Sequence, residues 1–116
     1  NIMKKIYCID LDDTICFPNH EFTDSFKKYG EAKPNIPIIE KVNILYDNGN
    51  KIIIFTARRM LTHKGNLENI LTDVEDLTIN WLKKHDVKYS EIVFGKPYAD
   101  FYVDDKSMSL ENFIIE

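Results

Sequence analysis

Four groups of residues in this 116-residue chain have types and spacing suited to chemistry, and each follows a short apolar run. Asp10, Asp12 and Asp13 lie in Ile9-Asp10-Leu11-Asp12-Asp13-Thr14, directly after residues 6–9. Alternate side chains of an extended chain share a side, so Asp10 and Asp12 face one way and Leu11 the other. Two such carboxylates in a dry site stay ionised together only with a cation or hydrogen bonds. A second acidic pair, Asp104-Asp105, follows residues 101–103. Thr56-Ala57-Arg58-Arg59 closes the run 52–55, and Gly95-Lys96-Pro97 closes the run 92–94. Clustered carboxylates suit a hard cation such as magnesium. A hydroxyl, a backbone amide and an ammonium suit a phosphoryl group with distributed negative charge. Each group also has a plain reading: an acidic turn capped by Asp13 or Thr14, a solvated Asp104-Asp105-Lys106 turn, a hydroxyl ending a strand, a surface lysine before proline. Those readings leave unexplained why all four groups occur together and in this order.

The elements that must position these residues are legible as patterns. Residues 6–9, 52–55, 92–94 and 101–103 are β-branched or aromatic and continuously apolar, as in parallel strands buried on both faces. A helix is predicted over 37–48, with Ile38, Ile39, Val42, Leu45 and Tyr46 at helical spacing, Pro37 in the first turn and Gly49 as the stop. A second is predicted over 72–85, capped by Thr72 and striped by Val74, Leu77, Thr78, Trp81 and Leu82. A short third starts at Ser109, with Leu110, Phe113 and Ile114 inward. The order β-α-β-α-β-β-α predicts one α/β domain over 1–116, a three-layer sandwich around a mainly parallel, Rossmann-type sheet. Six residues between Phe94 and Phe101 leave no room for a crossover helix, so this segment either traverses the sheet in extended form or joins 92–94 and 101–103 as an antiparallel pair. Traversal is expected, because the chemistry needs both strands to end on the same edge.

Composition narrows the classes further. With 44% hydrophobic residues the chain has enough apolar material for a core, and it has no apolar run long enough to span a bilayer. No signal-peptide pattern opens it, so the expected location is cytoplasmic. A net charge of −4 argues against a nucleic-acid partner. Two cysteines make neither a disulfide framework nor a zinc quartet; Cys8 reads as a buried small hydrophobe, and Cys16 as a thiol with no nearby histidine to activate it.

Taken in order, Asp10-x-Asp12-x-Thr14, the strand ending in Thr56, Lys96 and the strand ending in Asp104-Asp105 resemble the haloacid dehalogenase superfamily of phosphohydrolases. The stretches IIIFTARR, FGKP and VDDKS, with the Trp81-Leu82 helix, resemble its small capless phosphatases, including some associated with capsular polysaccharide biosynthesis. The resemblance implies that Asp10 is the nucleophile of an aspartyl-phosphate mechanism and Asp12 the acid and then base. It implies that Thr56 and Lys96 bind and neutralise the phosphoryl group. Magnesium would be held by Asp10, the carbonyl of Asp12 and the terminal pair, with Asp105 the favoured direct ligand and Asp104 supporting, a choice that spacing alone does not make. Substrate contacts would fall on Thr14, Ala57, Arg58, Arg59 and Lys64.

Residues 15–37 and 57–95 are too few, at 23 and 39, to hold a separate cap domain. The site should therefore be open to a small phosphorylated substrate such as a sugar phosphate, or closed by a second subunit of a homo-oligomer. Arg58, Arg59, His63 and Lys64 in the loop 57–71 are candidates for a second anionic part of the substrate, whereas His20 and Phe26 either gate the site or cover the core. Two other readings compete: a polynucleotide 3′-phosphatase, with its similar Thr/Ser-x-Arg feature, and a receiver-like phospho-acceptor domain. The receiver needs an aspartate where the strand here ends in Thr56.

Overall fold

The computed structural model describes residues 4–116. In chain order its elements are β1 (Ile6–Asp10), β2 (Cys16–Phe17), a π-helical turn (Phe26–Gly30), β3 (Lys33–Pro34), α1 (Ile36–Asp47), β4 (Lys51–Thr56), α2 (Leu67–Lys84), β5 (Glu91–Phe94) and α3 (Leu110–Ile115). β1, β4 and β5 form a parallel sheet in the order β1-β4-β5, with Ile9 opposite Ile54 and Phe55 opposite Val93. Parallel neighbours need crossovers, and α1 and α2 supply them. β2 and β3 pair antiparallel and close the base of a flap over residues 18–32. Among the described residues no helix is long and apolar enough to cross a membrane.

One packed cluster joins Ile38, Ile39 and Val42 of α1 and Trp81 and Leu82 of α2 to Ile9, Ile52 and Ile54 of the sheet. Leu11 and Ile15, fully buried, anchor the turn that carries the acidic residues. Burial in β4 alternates: Ile52, Ile54 and Thr56 are buried, while Ile53 and Phe55 are half-buried. One face of the sheet is thus better covered than the other. Cys8, expected inside, is exposed, because β1 is an edge strand and Cys8 points to the less covered face.

α1 keeps its predicted span to within a residue, with Pro37 in its first turn and Gly49 at φ +91° just beyond its end. α2 begins five residues before its expected start at Thr72. Its cap is Asn66, whose Oδ1 accepts the Asn69 N–H at 3.0 Å, whereas the Thr72 hydroxyl bonds back to the Glu68 carbonyl inside the helix. Ile70, buried and one turn before Val74, was the sequence signal for this longer helix. α3 is capped by Ser109 as expected, but only Phe113 is buried and Leu110 and Ile114 stay exposed. Phe113 packs edge-on against Tyr7, with ring centroids 6.0 Å apart.

The fourth predicted strand, 101–103, does not form. Phe101 and Val103 are 85% and 97% exposed, and the backbone hydrogen bonds there are local. Tyr102 donates its hydroxyl to the Pro97 carbonyl at 2.5 Å, and the Lys106 N–H bonds to Asp104 Oδ1 at 2.7 Å. The physical reason is reach. A parallel partner for the free edge of β1 must start at the opposite end of the sheet. The six intervening residues would have to span a diagonal of about 19 Å, from about 14 Å across three strand spacings and about 13 Å back along the strands, which is nearly all of their extended length of ~20 Å. Gly95 at φ +94° turns the chain and removes that slack. The traverse itself occurs: residues 97–110 run past β1 and leave a groove of about 740 Å³ along Ile6–Asp10.

The flap is fastened to the core by Trp81, whose Nε1–H donates to the buried Ala32 carbonyl at 2.8 Å. Trp81→Phe keeps most of the apolar contact and leaves that carbonyl unpaired. It should lower unfolding free energy by about 1–3 kcal/mol, read as a shift of the urea midpoint.

Candidate active site

The carboxyl ends of β1, β4 and β5 meet at one edge of the sheet, as open parallel sheets require for their ligand crevice. The crevice is a pocket of about 540 Å³ whose wall includes Asp10, Asp12, Ala57, Arg58, Arg59 and Lys96. Asp10 ends β1, and Lys96, just past β5, places its Nζ 3.5 Å from Asp10 Oδ1. The Lys96 N–H also bonds to the Thr56 carbonyl at 3.0 Å, which ties the end of β5 to the end of β4. Its ammonium lies 4.1 Å from the Tyr102 ring centre. Burial pushes the Asp10 carboxyl above its ordinary range, and the Lys96 charge only partly offsets that. Without the lysine the Asp10 carboxyl would be harder still to keep anionic.

Asp12 has a different partner. Arg58 Nη2 donates to Asp12 Oδ1 at 2.8 Å, and Nε lies 3.1 Å from both carboxylate oxygens. Arg58 Nη1 donates to Thr78 Oγ1 of α2 at 2.7 Å, and the guanidinium stacks 4.5 Å over the Tyr29 ring. The Arg58 side chain is fully buried and that of Asp12 is 24% exposed. Neighbouring β4 and β1 loop residues thus have opposite accessibility: the Asp12 carboxylate opens on the pocket, and the Arg58 guanidinium packs behind it.

A second network fastens the flap over the pocket. Arg59 Nη2 donates to the Thr23 carbonyl at 2.6 Å and to Ser25 Oγ at 2.9 Å. Ser25 donates to Asp73 Oδ1 of α2 at 2.5 Å, and His63 Nε2 lies 2.8 Å from Asp73 Oδ2. The flap itself brings His20, Lys28 and Tyr29 to the pocket wall.

No protein-family model matches the chain, and no curated protein does. Among solved structures, a crystal structure of a target protein from Vibrio cholerae superposes with a TM-score of 0.82 at 34% identity, over 97% of this chain and 88% of that one. The chain belongs to the family of that protein. The family's fold extends further, to chains of the Pnkp1/Rnl/Hen1 RNA repair complex. They match with TM-scores of 0.57 and 0.56 at 20% and 18% identity, over 88% and 96% of this chain but only 30% and 29% of those larger chains.

Against this geometry the sequence-predicted site residues divide. Asp10, Asp12, Ala57, Arg58, Arg59 and Lys96 are brought to one pocket. Thr56 is buried, and its Oγ1 accepts the Arg58 N–H at 3.1 Å rather than lining that pocket. Thr14 lines the neighbouring groove, and Lys64 is exposed at φ 51° away from both. Asp104 and Asp105, expected opposite Asp10, are exposed and do not complete an acidic cluster. Among the described residues no group of three or more His, Cys, Asp or Glu side chains is placed to hold a metal ion. They miss because the strand that was to carry them does not pair with β1. Cys16 is fully buried; burial and the Asp12 charge push its thiol well above the ordinary range, so it is no nucleophile. Lys28 and Tyr29 were not anticipated. They sit in the π-helical turn of the flap, and a single turn of five residues carries no readable sequence period.

The Asp73 latch has a pH signature. Burial pushes its carboxyl up, but hydrogen bonds from Ser25 and His63 and the charge of Arg59 outweigh this, and the net shift is downward. A depressed folded-state value means the unfolded chain binds more protons in the carboxylate range. The stabilisation is therefore present above about pH 4 and is lost as pH falls through the folded value. Urea unfolding of Asp73→Asn should show a lower midpoint than the parent at pH 7, and the difference should shrink as the pH falls below about 4.

Proposed function

We propose that the chain is a phosphomonoesterase of the haloacid dehalogenase type, from its small capless group, acting on a small phosphorylated metabolite such as a sugar phosphate. The observation that carries this reading is the Lys96 ammonium 3.5 Å from the Asp10 carboxylate, with Asp12 on the same pocket wall. A pocket of about 540 Å³ suits a ligand of sugar-phosphate size.

In this reading an Asp10 oxygen attacks phosphorus, and the bond from phosphorus to the ester oxygen breaks with its electron pair left on that oxygen. Asp12 gives it a proton, so an alcohol departs and an aspartyl phosphate remains. Water then attacks the phosphorus, Asp12 takes its proton, and inorganic phosphate leaves as the Asp10 carboxylate is restored. Lys96 neutralises charge on the nucleophile and on the phosphoryl oxygens, the term expected to carry most of the rate.

Magnesium would draw on Asp10 and the Asp12 carbonyl; Asp104 lines the same groove as Asp10, but among the described residues no three acidic side chains come close enough to supply a full ligand set. The steps above are accordingly those of the chain's own residues. The magnesium requirement is a separate proposal: protein treated with EDTA should regain phosphatase activity on addition of magnesium, and equal activity without metal would refute it.

A second reading, a polynucleotide 3′-phosphatase, draws on the fold shared with chains of an RNA repair complex. The net charge of −4 weighs against it. Phosphate release from a panel of sugar phosphates and from a 3′-phosphorylated oligonucleotide separates the two, and we expect turnover of the former.

In the same assay Asp10→Asn should have no measurable turnover while keeping its circular dichroism. A folded, active Asp10→Asn protein would remove the nucleophile from the scheme. Lys96→Ala should lose about 10²-fold or more in kcat, the scale seen when one preorganised charge partner is deleted.

A further inference from the structure

Arg58 was expected to reach for substrate, and its surroundings suit another task. Its side chain has no exposed surface. Each of its three nitrogens already has a protein acceptor: Nε and Nη2 bond Asp12, and Nη1 bonds Thr78 Oγ1 at 2.7 Å. Its flat face is occupied by Tyr29 at 4.5 Å, and its own backbone N–H is held by Thr56 Oγ1. The two oxygens of Asp12 are treated unequally. Oδ1 accepts from Arg58 Nη2 at 2.8 Å, from Nε at 3.1 Å and from the Cys16 thiol at 3.4 Å. Oδ2 shares only the Nε contact at 3.1 Å. One oxygen is therefore saturated, and the other keeps lone-pair capacity on a side chain that opens on the pocket.

We propose that Arg58 is a positioning residue for Asp12: it immobilises Oδ1 and presents Oδ2 as the oxygen that exchanges the proton with the leaving group and then with water. This rests on the phosphomonoesterase reading. Proton transfer needs a donor held in hydrogen-bond reach of the departing oxygen, and a carboxylate on a turn has two free torsions that the guanidinium fork removes. The planar fork matters beyond its charge, since a lysine ammonium can pair with a carboxylate but cannot set its plane. Thr78 anchors the fork from α2, so a helix residue that never meets substrate helps to set the angle of the acid.

The test uses two phosphate esters that differ in their need for a proton. An alkyl ester such as glycerol 2-phosphate releases a strongly basic alkoxide, whereas p-nitrophenyl phosphate releases a stable phenolate. For Arg58→Met and Arg58→Lys we expect kcat/KM, which reports formation of the aspartyl phosphate alone, to fall about 10²-fold on the alkyl ester and less than about 5-fold on the aryl ester. Any slowing of the shared hydrolysis step lowers kcat on both and does not raise KM. Thr78→Val leaves Arg58 and Asp12 in place and should show the same selective loss at about 5- to 10-fold, which keeps the proposal testable if the Arg58 variants do not fold. Equal losses in kcat/KM on both esters would reduce Arg58 to a structural support, a rise in KM would make it a substrate ligand, and full alkyl kcat/KM in Arg58→Lys would make its charge sufficient; each overturns the proposal. Wild-type protein that hydrolyses neither ester would instead refute the phosphomonoesterase reading itself, before any variant is compared.

Discussion

A guanidinium with no exposed surface, clamped between the Asp12 carboxylate and the Thr78 hydroxyl, determines where the other groups of the site can stand. It joins three elements that are distant in sequence: the turn after β1, the end of β4 and the middle of α2. Tyr29 lies on its face, so the flap takes its position from the same group. A charge buried this deeply is tolerated only when paired and fully hydrogen-bonded, and removing one partner of such a pair typically costs about 3–5 kcal/mol. For a small domain that is a large share of the roughly 5–15 kcal/mol separating folded from unfolded chain. The geometry of the acid is thus coupled to the stability of the fold, and the two cannot drift independently.

The parallel sheet imposes the second constraint. Its strands all deliver their carboxyl ends to one edge, so Asp10, Arg58 and Lys96 meet although they come from three strand ends. The same topology leaves β1 at an edge with an open groove beside it. Unpaired strand edges are ordinarily covered or blunted, and here residues 97–110 pass alongside without pairing. The position of Asp104 and Asp105 follows from that one missing ladder. Nothing in their own side chains keeps them from Asp10; their backbone has no partner to bring it there.

How much was readable in advance depended on how local the cause was. α1 was legible because Pro37, the apolar stripe and Gly49 all act within the helix itself. The start of α2 was misplaced because two residues could cap it, and Thr72 is in fact an interior hydroxyl bonded to the turn before it. The apolar run 101–103 satisfied every local criterion for a strand. Whether a strand forms, however, is decided by the length of chain available to carry it back across the sheet. Asp10, Asp12 and Lys96 were legible as residues of one pocket because each lies at, or within two residues of, the carboxyl end of a strand. Lys28 and Tyr29 were not, since only the docking of an irregular flap puts them there.

The sequence by itself determined the α/β alternation, the three strands of the parallel sheet, and which strand ends carry acids and cations, because periodicity and residue type act over a few neighbours. Tertiary structure alone decided which of those groups became partners. Arg58 and Arg59 are adjacent and chemically identical, yet one turns inward to Asp12 and the other outward to Ser25 and Thr23. Arg59 sits at φ 61°, and that backbone reversal sends consecutive side chains to different neighbours. Such partnerships between residues 34 and 46 positions apart depend on how α2 and the flap pack on the sheet, and no local pattern encodes that packing.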